Sequence, residues 1–79
     1  MTIRDIEIDW AGKAARFLKA ELKKADVTYE ELAVRLNAKG WSETKASIAN
    51  KLSRGAFTAT FFLATLVEIG CQNVRIEDI

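Results

Sequence analysis

The sequence predicts a mainly α fold: a small helix-turn-helix bundle of four helices, with short strand-like N- and C-terminal segments. Three observations predict it. Gly40, Gly55 and Gly70 each close an apolar-periodic run. The run opening at Thr28 begins with a T-x-x-E capping box, Thr28 to Glu31. The turn "GWS" then joins the second and third runs through three residues, the connection expected of two helices crossing at roughly 90–120°.

Proline is absent, so caps and glycines set the helix boundaries. Helix 1 is expected over about 10–25, "WAGKAARFLKAELKKA". Asp9 is its N-cap, and Ala11, Ala14, Ala15, Leu18 and Leu22 recur at helical spacing. Lys23 and Lys24 fall in the last turn, where cations suit the helix dipole. Helix 2, about 28–39, sets Val27 and Leu32 at the spacing of a hydrophobic staple. Tyr29, Leu32, Ala33 and Leu36 form its apolar stripe. Helix 3, about 43–54, starts from Ser42 as N-cap and turns Ile48, Ala49 and Leu52 inward. Trp41 folds over the corner before it. Helix 4, about 58–69, is capped by Thr58 and stapled by Phe57 and Phe62. Phe62, Leu63, Leu66 and Ile69 supply its core side chains.

The two ends read differently. "TIRDIEI" (2–8) and "NVRIEDI" (73–79) are short and Ile/Val-rich with partial alternation, an edge-strand pattern. An isolated two-stranded ribbon is marginal in water. These segments therefore either pair within the chain or join two chains into a homodimer. Residues 1–79 make a single helix-turn-helix domain, since neither a repeat nor a linker interrupts the chain.

Composition narrows the chemistry. With one cysteine and no histidine, there is no internal disulfide, no cysteine–histidine or Ser-His-Asp pair, and no structural zinc set within one chain. Cys71 reads as a small core residue. Neither a phosphate loop nor a carboxylate pair stands out. The expectation is no enzyme, no catalytic residue, no metal and no cofactor, and hence no small-molecule substrate. No apolar run approaches the roughly 20 residues of a membrane span, and the charged N-terminus does not resemble a signal peptide. The expected location is cytoplasmic, with no membrane partner.

Net charge is +1, but its distribution is uneven. Residues 10–55 hold ten Lys/Arg against five Asp/Glu, while the two ends hold two against six. A basic centre between acidic ends describes a polarised molecule.

The runs "LKKADVTYEELAVRL", "SIANKLSRG" and "LATLVEIG" resemble the lambda-repressor/Cro-like helix-turn-helix domains over about residues 10–71. The narrower stretch "SIANKLSRGAFTATFFLATLVEIGC" is similar to a group of short bacterial proteins catalogued as a domain of unknown function, which implies no activity. The wider resemblance implies a DNA-binding fold, usually dimeric, with helix 3 in the major groove. There are departures. Helix 2 plus the turn is several residues longer than the family pattern. Ile48 and Leu52 are four apart where three is common, and the last segment is strand-like where a fifth helix is usual.

At about 100° per residue, Ile48 and Leu52 point inward together. Glu43, Ala46, Ser47, Asn50 and Arg54 fall on the opposite face, and Lys51 lies on the flank. Thr44 and Lys45 project from the helix N-terminus, the part that meets base edges in docked helix-turn-helix domains. Asn50 can bind adenine bidentately, and Arg54 can bind guanine or phosphate. Lys39, Lys45 and Lys51 are candidate phosphate contacts. The expected DNA-binding set is therefore Lys39, Thr44, Lys45, Ser47, Asn50, Lys51 and Arg54. The expected function is sequence-specific binding of double-stranded DNA by a homodimeric transcriptional regulator. The alternative is a protein-protein interaction or self-assembly module that keeps the fold without DNA. The small net charge, the acidic ends and the strand-like tails favour that alternative, while the small residues Ala46, Ser47 and Ala49 suit a protein partner as well as a groove.

Overall fold

The computed structural model describes all 79 residues, Met1–Ile79. Four helices form it: α1 Ile3–Lys24, α2 Tyr29–Ala38, α3 Lys45–Arg54 and α4 Ala59–Glu68. One 3-10 turn follows at Ile76–Asp78. α3 packs on α1 and α2, and α4 packs on α2 and α1. The core is one cluster centred on Leu18, Leu32, Leu36, Ile48, Leu52 and Phe61.

The strand-like termini are corrected, since no strand forms. Residues 3–8 are instead the first turns of α1. Thr2 caps that helix: its hydroxyl accepts from the Asp5 N–H at 3.2 Å, and the Asp5 carboxylate accepts from the Thr2 N–H at 3.2 Å. A closed capping box satisfies orphan donors at once, whereas a strand there has no edge to join. Asp9, expected as the cap, lies inside the helix and pairs with Lys13 at 3.3 Å. At the other end, Val74 packs against the core and the chain closes in the 3-10 turn.

Helices 2 and 4 begin where their threonines predict. The Thr28 and Thr58 hydroxyls accept from the N–H groups of Glu31 and Phe61, both at 3.1 Å. The Glu31 carboxylate does not complete the box; it pairs with Arg35 at 2.9 Å. Val27 and Leu32 are both buried, as a staple requires. The rings of Phe57 and Phe62 stack at 6.1 Å with 3° between planes. Within α4 the inward residues are Phe61, Thr65 and Leu66. Leu63, expected inside, is exposed. The inward face of α4 is thus turned by about one residue from the expected stripe.

The turn between α2 and α3 is also corrected. It spans residues 39–44, because α3 starts after Thr44 and not after Ser42. Thr44 is the N-cap in a reciprocal box with Ser47. The Thr44 hydroxyl accepts from the Ser47 N–H at 3.0 Å, and the Ser47 hydroxyl accepts from the Thr44 N–H at 2.8 Å. Trp41, half-buried in this turn, meets Phe61 edge-on at 6.2 Å. Gly55 closes α3 in the left-handed region, φ 63°. An added Cβ there would lie 2.9 Å from the backbone oxygen of Ala11, so the bare backbone lets α3 end tightly against α1.

Candidate nucleic-acid interface

The seven expected contacts divide into three groups. Thr44 and Ser47 form the α3 cap, and their hydroxyls are engaged with backbone. Lys51 and Lys39 are ion-paired. Lys45, Asn50 and Arg54 are exposed, and their side chains make no hydrogen bond or ion pair within the chain.

Glu43 holds one member of each of the first two groups, Ser47 and Lys51. It was expected on the outward face of helix 3, but it lies in the turn and its side chain is 5% exposed. One carboxylate oxygen accepts from the Ser47 hydroxyl at 2.7 Å. The other accepts from the Lys51 ammonium at 2.5 Å. That ammonium also sits 5.0 Å from the centre of the Phe61 ring. The backbone of Glu43 is held as well. Its N–H donates to the Asn37 side-chain oxygen, and its C=O accepts from the Asn37 side-chain amide, both at 2.8 Å. A buried carboxylate needs such partners, since leaving it unpaired in the interior is strongly destabilising.

Lys39 reaches the Glu68 carboxylate at 2.7 Å. Arg35 donates to the backbone oxygen of Glu68 at 3.0 Å, tying α2 to the end of α4. The outward face of α3 is therefore Ala46, Asn50, Ser53 and Arg54, all exposed, opposite the fully buried Ile48 and Leu52, and Lys45 is exposed at the helix N-terminus. Three polar side chains with unused donors on a rigid helix can meet base edges or phosphates.

No group of three His, Cys, Asp or Glu residues is placed to hold a metal ion. The largest cleft, ≈ 550 Å³, lies between α1 and the C-terminal segment and mixes Arg16, Lys24 and Arg75 with Glu21 and Asp78. In it, Glu21 accepts from the Lys24 ammonium at 3.0 Å. That hydrogen bond, with the charge of Glu21, raises the lysine above its ordinary value. Cys71 is a free thiol at the edge of the core. No helix is long and apolar enough to cross a membrane.

Residues 10–74 match a family model described as Domain of unknown function (DUF6471). The chain belongs to this family. The DUF6471 region takes in α2, α3, α4 and all of α1 from Trp10 onward. Met1–Asp9 and Arg75–Ile79 lie outside it. No curated protein and no solved structure matches the chain.

Proposed function

We propose that this domain binds double-stranded DNA, with α2 and α3 as a helix-turn-helix and α3 laid in the major groove of an operator, and that it acts as a transcriptional regulator. One observation carries the reading: Asn50 and Arg54 stand on the outward face of α3 and Lys45 at its N-terminus, all exposed and with no side-chain partner inside the chain. The buried Glu43 supports it, because its contacts fix the start of α3 and so the direction of that face. In this reading Asn50 reads a base edge, Arg54 reads guanine or a phosphate, and Lys45 neutralises phosphate. Lys39 and Lys51 contribute charge from the flanks, each shared with a carboxylate.

The test is fluorescence anisotropy with labelled random-sequence duplex. A dimer making about six phosphate contacts loses roughly 10³ in affinity between about 50 and 200 mM salt. A flat salt response, or no binding at low salt, sinks the reading.

A second reading is a protein-interaction or self-assembly module that keeps the bundle without DNA. The observation favouring it is the apolar side of the first turns of α1, where Ile3, Ile6 and Trp10 stand 76%, 43% and 50% exposed.

A further inference from the structure

The first turns of α1 project from the bundle. Every residue from Met1 to Trp10 is exposed, and the molecule measures 41 × 24 × 18 Å along its principal axes. At about 100° per residue, Ile3, Ile6, Trp10, Ala14 and Phe17 fall on one side of this helix. Lower down, the same side borders an almost wholly apolar groove of ≈ 340 Å³, lined by Trp10, Ala14, Phe57, Phe62, Ile76 and Ile79. Phe17 meets Phe62 there at 6.2 Å.

We infer that this stripe is the seam of a homodimer in which two α1 helices pair antiparallel about a twofold axis beside Trp10. Two features identify a second copy as the occupant. The first is symmetry. Ile3 and Phe17 each lie seven residues from Trp10, and Ile6 and Ala14 each lie four. A twofold interface needs a self-complementary patch. Antiparallel pairing lays Ile3 of one copy over Phe17 of the other and fits the larger Ile6 over the small Ala14. The projecting turns of each copy then cover the groove of its partner.

The second feature is charge. Residues 3–9 carry Arg4 against Asp5, Glu7 and Asp9, a net of −2. Residues 11–17, which this register lays against them, carry Lys13 and Arg16 and no acid, a net of +2. Antiparallel pairing brings the acidic half beside the basic half twice over, and parallel pairing sets like against like. The seam leaves the outward face of α3 free. It supplies the dimer of the DNA-binding reading without depending on DNA being the ligand.

The test is sedimentation equilibrium of the full chain between about 1 and 100 μM, a span that brackets a micromolar dissociation constant. The wild type is expected to be dimeric. Trp10→Glu is expected to weaken the dimer about tenfold or more, with an unchanged far-ultraviolet circular dichroism spectrum. Disulfide trapping reads the orientation. In a Cys71→Ser background, Trp10→Cys is expected to cross-link two chains and Ile3→Cys is not. A monomeric wild type, an undiminished Trp10→Glu dimer, or an Ile3→Cys cross-link as fast as the Trp10→Cys one each overturns the inference. A monomer that binds DNA with a steep salt slope overturns the seam alone. A dimer of this orientation that ignores DNA overturns only the DNA reading.

Discussion

Lys51 and Glu43 form an ion pair in which one partner can reach water and the other cannot: their side chains are 32% and 5% exposed. The two ends of the pair therefore differ in what their removal does. Lys51→Met strands a buried carboxylate with only the Ser47 hydroxyl as partner, and the expected loss is about 2–3 kcal/mol of unfolding free energy. Glu43→Gln leaves an ammonium that can turn to solvent, and the expected loss is about 1 kcal/mol. Urea titration of both variants checks the order; equal losses would show that the burial of Glu43 does not govern the pair.

The start of α3 is a second point of decision. Thr44→Ala removes the hydroxyl that accepts from Ser47, and the expected loss is about 1 kcal/mol. In a domain of this size that lowers the melting temperature by about 4–8 °C. Ser42→Ala, two residues earlier and outside the cap, is expected to stay within about 0.5 kcal/mol of wild type. Thermal melts of the two variants side by side decide which residue opens the helix.

Gly55 and Gly40 both have positive φ, 63° and 99°, but only Gly55 has a neighbour where a side chain would go. Gly55→Ala adds a clash with the Ala11 backbone to the left-handed penalty of roughly 1–2 kcal/mol. It is expected to destabilise more than Gly40→Ala, which enters open space. Denaturant midpoints of the pair give the comparison, and a milder Gly55→Ala would mean that α1 and α3 separate easily there.

Along α3, the exposed side chains are expected to behave as two kinds of contact. Lys45→Ala should weaken binding to all duplexes alike and reduce the salt slope by about 1 per subunit. Asn50→Ala should remove about 1–3 kcal/mol at one base position and relax sequence preference there. Selection from a random duplex pool, followed by anisotropy on the selected sequence, separates them. An Asn50→Ala domain with unaltered preference would take Asn50 out of base readout.

Much of the bundle was legible in local signals. Thr28, Thr58, Gly40, Gly55 and Gly70 mark ends because caps and left-handed stops are set by neighbouring residues. The Phe57–Phe62 staple was readable for the same reason. What was not legible depended on partners distant in sequence or on too few residues. Ile6 and Ile8 alternate, but two residues cannot separate a period of 2 from one of 3.6, and the Thr2–Asp5 cap decides for helix. Ser42 and Thr44 are both competent caps. The choice falls to Thr44 because Asn37, from α2, takes both backbone groups of Glu43 and holds the turn open until that point. The burial of Glu43 left no local trace, and with it went the expectation that Ser47 and Lys51 face outward unencumbered. The unpartnered side chains Asn50 and Arg54 were found by the helical period, and Lys45 by its place at the helix N-terminus.

Residues 3–7 of α1 are all exposed, so the length of this arm adds nothing to the buried core. Its phase still matters. One residue gained or lost between Ile6 and Trp10 swings Ile3 and Ile6 by about 100° relative to Trp10, while three, four or seven leave them within about 60°, 40° or 20° of it. Related chains are therefore expected to differ in this arm by those increments, keeping the same bundle while changing how far apart two of them are held.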